Sequence, residues 1–139
     1  MKILVIGGSG LLGMKLQKVL AGDGFDVYAT FHQNTLNEKN CFPLDITQKN
    51  AVDTFMEKIN PDIVVLAAAY TNVDDCEKNK EKAFETNVQG TRNIAHAAEK
   101  NNARLVYIST DYVFDGKKGL YKEEDSTNPI NYYAYTLNN

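Results

Sequence analysis

Near the start of the chain four consecutive apolar residues, Ile3-Leu4-Val5-Ile6, run directly into Gly7-Gly8-Ser9-Gly10-Leu11-Leu12-Gly13. An apolar run without polar alternation reads as a strand buried on both faces of a parallel sheet. Beyond the glycines, Leu11, Leu12, Leu16, Val19 and Leu20 recur at helical spacing until Gly22-Asp23-Gly24 stops the helix. The glycines fit G-x-x-G-x-x-G between that strand and that helix. Gly7 permits a tight turn, Gly10 keeps a side chain away from an approaching phosphate, and Gly13 lets helix and strand pack closely. The helix N-terminus adds free N–H groups and the positive end of a dipole. In this setting the pattern points to the diphosphate of a dinucleotide. Gly7, Gly10, Leu11, Leu12 and Gly13 are the first candidate cofactor-binding residues.

The rest of the chain repeats the alternation. Asp26 to Phe31 reads as a second strand and Cys41 to Asp45 as a short third. Thr47 is placed to cap a helix carrying Val52, Phe55, Met56 and Ile59. Ile63-Val64-Val65-Leu66 is another buried strand, followed by a long helix from about Glu81 to Lys100 with Ala83, Phe84, Val88, Ile94 and Ala98 on one side. Leu105-Val106-Tyr107-Ile108 is the fifth strand, and after Ser109 the chain turns loop-like. Strands alternating with helices imply an α/β fold, a doubly wound parallel sheet of the Rossmann, NAD(P)-binding type, read as one domain over residues 1–139. Ligands in such sheets lie at the carboxyl ends of the strands, near the point where strand order reverses. The residues to examine therefore follow Ile6, Thr30, Leu66 and Ile108.

Composition narrows the partners. The chain carries 15 basic and 18 acidic residues among 139, a balance that gives no reason to expect a nucleic acid or an anionic membrane. Its longest apolar run, Ile63 to Ala69, is too short to span a bilayer, and the opening residues do not make a signal peptide. Cys41 and Cys76 stand in no metal-ligand spacing and read as reduced thiols of a cytoplasmic protein. No metal site is expected.

Dinucleotide sites often place an acid at the end of the second strand to grip the ribose 2′-hydroxyl. Here Ala29-Thr30-Phe31-His32-Gln33-Asn34 contains none, so a 2′-phosphate would meet no carboxylate, and His32 and Lys39 are the nearest candidate contacts. The expected cofactor is NADPH, with NADH tolerated. Asp45 and Ile46, after the third strand, are candidates for the adenine, or alternatively a turn aspartate and a core isoleucine.

Three further stretches carry a resemblance. They are Ala67-Ala68-Ala69-Tyr70-Thr71-Asn72-Val73-Asp74, Glu85-Thr86-Asn87-Val88-Gln89-Gly90-Thr91, and Ser109-Thr110-Asp111-Tyr112-Val113-Phe114-Asp115-Gly116. Together they resemble the extended short-chain dehydrogenases/reductases, and within them the dTDP-4-dehydrorhamnose reductase family. That resemblance implies reduction of the 4-keto group of a dTDP-linked deoxysugar, dTDP-4-dehydrorhamnose to dTDP-rhamnose, by a nicotinamide cofactor. It implies that Thr110 hydrogen-bonds the substrate carbonyl and that a Tyr in a Y-x-x-x-K motif donates the proton. It sets Ala67, Ala68, Ala69, Tyr70 and Asn87 beside the cofactor, and Thr71 and Val73 beside the nucleotide-sugar substrate. The chemistry has its own logic: a ketone accepting hydride develops an alkoxide, which needs an acid and a hydrogen-bond donor. Asp111 and Asp115 read as loop-ordering carboxylates, and His96 as a surface residue.

The motif is broken at one place. The family's tyrosine aligns best with Tyr133, but four residues on, where the lysine belongs, stands Leu137; Tyr132 and Tyr135 are competing choices for the acid, and neither has a lysine at that spacing. Family members continue for about as long again, with a further strand and a substrate lobe that are absent here. Either the sequence is a fragment, or it is a non-catalytic NADP-binding or regulatory module such as the regulatory subunit of methionine adenosyltransferase, which resembles the same family. In both cases weak turnover is expected of this chain, and the unpaired sheet edge points to self-association into homo-oligomers.

Overall fold

A computed structural model describes residues 1–36 and 38–139. The chain divides into two compact units, Met1–Ala69 with Gly90–Ile108, and Tyr70–Gln89 with Ser109–Asn139.

The first unit is built on a five-stranded, wholly parallel sheet. Its strands are β1 (Lys2–Ile6), β2 (Asp26–Phe31), β3 (Cys41–Pro43), β4 (Ile63–Leu66) and β5 (Arg104–Tyr107), in the order β3-β2-β1-β4-β5. The order reverses between β1 and β4, whose register pairs Ile6 with Leu66, so both strands end together at the reversal. This is the Rossmann arrangement that the alternation of elements predicts. The apolar runs explain it: Leu4, Val5 and Ile6 of β1 and Val64 of β4 have no solvent exposure. Leu4, Ile6, Val64 and Leu66 pack with Val52 and Met56 of α2 (Lys49–Ile59) and with Ile94, Ala97 and Ala98 of the helix Thr91–Lys100.

The expected first helix is present, and one expectation for this unit is corrected. The helix α1 (Leu11–Gly22) forms, but Leu11, Leu12 and Val19 lie exposed, and its one buried residue is Gly13. It is held by bare backbone approach and by Gln17, whose Nε2 donates to the carbonyls of Gly8 (2.8 Å) and Gly13 (3.1 Å). The N-cap of α2 is Gln48, not Thr47. Asp45 Oδ1 accepts from both the N–H and the hydroxyl of Thr47, which turns Thr47 back toward the preceding loop.

The second unit contains segments without strong periodicity. Residues 70–79 form α3 (Val73–Lys78), capped by Asn72, whose side chain accepts from the Asp75 N–H. In place of the first half of the expected long helix stand α4 (Lys80–Phe84) and π-type turns over Glu85–Gly90; its second half, α5 (Thr91–Lys100), belongs to the first unit. A short 3-10 turn, Asp111–Val113, follows Thr110, and the last helix is α6 (Tyr132–Leu137), capped by Asn131. Here the buried set mixes Cys76, Ala83, Val88, Val113, Ala134 and Leu137 with the polar Asn87 and Thr136.

Candidate functional site

The glycine turn follows β1 at the strand-order reversal, and its glycines serve different ends. Gly7 has φ +87°, and a Cβ there would lie 2.8 Å from the Ala68 nitrogen. A Cβ on Gly13 would lie 2.2 Å from the Gly7 carbonyl oxygen. Both positions are bare because the protein's own backbone fills the space. Gly8, given no role by the sequence pattern, is confined the same way, since its Cβ would come 2.7 Å from that of Ala29.

Gly10 differs. Its φ is −77°, and an added Cβ would meet only the Gly7 oxygen, at an ordinary 3.4 Å. Nothing in the fold requires glycine there. Gly10 is the N-cap of α1, no side chain caps the helix, and the first turn holds no acid. The amides of Leu11, Leu12 and Gly13 therefore begin a helix with no carbonyl four residues back to receive them. A cradle with a bare rim and uncapped amides fits a diphosphate.

Two residues that the sequence pattern did not single out organise this turn. Thr30, at the end of β2 and 1% exposed, accepts the Gly8 N–H on its carbonyl at 2.6 Å and the Gly7 N–H on its hydroxyl at 3.4 Å. Gln17 ties the turn to α1, and its Oε1 accepts from the Cys41 thiol at 3.3 Å. Burial pushes the Cys41 thiol up, with the nearby Glu38 charge adding to it. The only sequence signal for Gln17 is its place one helical turn beyond Gly13.

At the end of β2, His32 does not stand alone. Its Nε2 lies 3.9 Å from Asp45 Oδ2: residues 29–34 carry no acid, and the carboxylate beside His32 is that of Asp45. Parallel pairing of β2 with β3 brings the loops after both strands together, and the carboxylate arrives from the other loop. Burial works to raise the Asp45 carboxyl, but the Thr47 N–H and hydroxyl, with the neighbouring His32, outweigh it and hold it below the usual range. The Ile46 side chain is buried, 6% exposed, against Gly90, while its carbonyl accepts from Asn93 Nδ2 at 2.9 Å. Of the three alanines after β4, Ala68 packs on the core and against Gly7, which accounts for its size.

In the second unit the side chain of Asn87 is 1% exposed and spent on protein partners. Its Oδ1 accepts the Tyr70 N–H at 2.7 Å, and its Nδ2 donates to the Tyr70 carbonyl at 3.1 Å and to Thr136 Oγ1 at 2.9 Å. The Tyr70 hydroxyl donates to Asp75 Oδ2 at 2.8 Å, a bond that raises the phenol above its ordinary value, and Lys82 Nζ stands 4.5 Å from the ring centre. Thr71 is exposed and Val73 half-buried. Thr110 is half-buried, and its hydroxyl accepts the Tyr112 N–H at 3.3 Å as the cap of the 3-10 turn.

Tyr133 is half-buried on α6. Burial pushes its phenol up, and the neighbouring Cys76 and Asp111 add to the effect. At the lysine's place Leu137 is 5% exposed, within the apolar interior of this unit. Asp115 gathers the following loop: it accepts from the Tyr121 hydroxyl, the Lys117 N–H at 3.1 Å and Asn128 Nδ2 at 3.1 Å. Those bonds, Tyr121 first, hold its carboxyl far below the usual range. Among the described residues, no cluster of His, Cys, Asp and Glu is arranged to hold a metal ion, and no helix is long and apolar enough to cross a membrane.

The chain is similar to several known proteins. A dTDP-4-dehydrorhamnose reductase of Aggregatibacter actinomycetemcomitans is 37% identical over 135 residues, which cover 96% of this chain and 43% of that protein. The structure of a dTDP-4-dehydrorhamnose reductase from Bacillus anthracis in complex with NADP superposes with a TM-score of 0.87 at 37% identity, covering 99% of this chain and 46% of that one. Methionine adenosyltransferase 2 subunit beta of Bos taurus is 33% identical, over 97% of this chain and 40% of its own length. The chain thus spans less than half the length of these relatives. The family model for the RmlD substrate binding domain matches residues 1–139, and the chain belongs to that family.

Proposed function

We propose that this chain is the cofactor-holding part of an NADPH-dependent reductase of a dTDP-linked 4-keto-deoxysugar, taking dTDP-4-dehydrorhamnose to dTDP-rhamnose. The observation that carries the reading is Gly10: a bare helix cap beside uncapped amides, at the strand-order reversal, where the protein itself would accept a side chain. Gly7, Gly10, Leu11, Leu12 and Gly13 would hold the diphosphate. Ala67, Ala68 and Ala69 border the same end of the sheet. Asp45 and the backbone of Ile46 are the adenine candidates, and His32 the contact for a 2′-phosphate. The cofactor, when bound, supplies a hydride.

This chain's residues handle the proton and the carbonyl. Thr110, whose hydroxyl here donates to Asp111 Oδ1 at 3.3 Å, would turn that proton to the substrate oxygen, and Tyr133 gives it a proton. Thr71 and Val73 border the sugar. Asn87 serves the cofactor indirectly, by holding the backbone of Tyr70. A phenol near ~10 needs a cation beside it to act at neutral pH. Here Leu137 offers none, and burial moves Tyr133 further from that range. Slow turnover follows.

Calorimetry with NADPH and NADH, and NADPH oxidation in the presence of dTDP-4-dehydrorhamnose, test the reading. We expect binding of both cofactors, NADPH the tighter, with turnover far below that of a chain bearing lysine at position 137. No heat with either cofactor from the folded protein would overturn it. Leu137 also favours a second reading, a non-catalytic NADP-binding module like the subunit beta relative. Cofactor binding that is tight, with turnover absent even in Leu137→Lys, would decide for that alternative.

A further inference from the structure

A helix of six residues has no stability of its own, so α6 and its Tyr133 take their position from tertiary contacts. Those contacts are specific. Thr136, 1% exposed, donates its hydroxyl proton to the Tyr133 carbonyl at 2.7 Å and accepts from Asn87 Nδ2 at 2.9 Å. The same carboxamide holds both backbone groups of Tyr70. Its orientation is settled chemically, because Tyr70 N–H demands an acceptor while Tyr70 C=O and Thr136 Oγ1 both demand a donor. The relay runs without a gap from the Tyr70 backbone through Asn87 and Thr136 to the Tyr133 backbone. Asn87 reaches it from the π-type turns, where Asn87 and Val88 are both 1% exposed. π-type turns inside α-helices are rare and concentrate at functional positions.

We propose that Thr136 and Asn87 are positioning residues for Tyr133, a buried hydrogen-bond relay that sets the phenol by fixing its backbone to that of Tyr70. The proposal rests on the reading of Tyr133 as the proton donor. A purely space-filling role is a poor account of the pair. Valine has the shape of threonine, and an apolar pair of matched shape leaves fewer polar groups to satisfy in a dry interior. The polar pair adds direction, since a hydroxyl that must both accept and donate has one orientation. Tyr133 itself makes no side-chain hydrogen bond among the described residues, so its hydroxyl stays available while its backbone is held.

The test follows the ring-carbon NMR signal of Tyr133 in the full chain labelled at tyrosine, with the signal assigned by Tyr133→Phe. Thr136→Ser, which keeps the hydroxyl, should leave the titration midpoint of Tyr133 unchanged. Thr136→Val, which keeps the shape, should loosen α6, admit water and move the Tyr133 midpoint measurably down toward the ordinary phenol value, while the ring signal of Tyr28 in the other unit keeps its position. A folded Thr136→Val chain with an unmoved Tyr133 midpoint and signal overturns the proposal. Should that variant not fold, the unmodified protein decides. Both Asn87 side-chain amide protons should exchange with water at least about tenfold slower than those of exposed Asn50, and equal rates overturn the relay. The donor reading is judged separately: if Tyr133→Phe leaves NADPH oxidation intact, Tyr133 is not the acid, whatever the NMR of the relay shows.

Discussion

In the unit formed by Met1–Ala69 and Gly90–Ile108, the interior is apolar and continuous: Leu4, Ile6, Val64 and Leu66 of the sheet meet Val52, Met56, Ile94 and Ala97 of the helices. In the unit formed by Tyr70–Gln89 and Ser109–Asn139, short helices and loops are joined through polar groups. Asn87 and Thr136 lie in its interior, and Asp115 gathers Tyr121, Asn128 and the Lys117 amide. The contrast teaches that one chain uses two kinds of specification. Apolar burial is strong and non-directional, so it fixes a sheet that tolerates modest change. Buried hydrogen bonds contribute little net stability but fix orientation.

Substitutions can break this comparison or sharpen it. The largest expected effect is in the first unit: Ile6→Ala should cost about 4 kcal/mol by chemical denaturation, because a wholly buried side chain leaves a cavity between helix and sheet. Next is Gly13→Ala, at about 3 kcal/mol with cofactor binding lost, because its Cβ meets the Gly7 carbonyl backbone, which has no room to retreat. Asn87→Ala should cost about 2 kcal/mol by leaving the Tyr70 N–H without its acceptor and the Thr136 hydroxyl without its donor, with the loss seen as faster hydrogen exchange in α6 and not in β1. Equal loosening of β1 would mean that the two kinds of specification are not separable. Gly10→Ala should leave the unfolding midpoint nearly unchanged yet weaken NADPH by about tenfold, since the added Cβ fits the protein and fills the rim of the cradle.

The smallest effect is one of pH. The folded Asp115 carboxyl is held below its unfolded value, so its contribution is present above pH ~4 and disappears only as the pH falls through the lower folded value. The Tyr121 ring signal should therefore keep its folded position at pH 3, and a release centred near pH 4 would show that Asp115 does not organise the loop.

The sequence made the first unit readable because its information is local. The runs Ile3–Ile6 and Ile63–Leu66, the glycine spacing and the apolar face of α2 each predict an element without reference to another. Even there, the periodicity of α1 announces the helix that forms, while Leu11, Leu12 and Val19 face outward. Their spacing announces a helix but does not say which face the sheet covers. The second unit was poorly legible for the complementary reason. The six-residue helices α3 and α6 lack enough turns to display a period, and the pairing of Asn87 with Thr136 joins residues 49 positions apart.

What the amino-acid sequence determined by itself is therefore the parallel sheet, its glycine turn and the family, because buried strands and bare glycines declare themselves in neighbouring residues. Only the tertiary structure decided which glycines answer to the fold and which one leaves room for a ligand. It alone placed Asp45 beside His32, and it alone joined Tyr70 to Tyr133 through Asn87 and Thr136. Those outcomes depend on distances between segments remote in the chain, and hydrogen bonds and steric contacts act only once folding has set those distances.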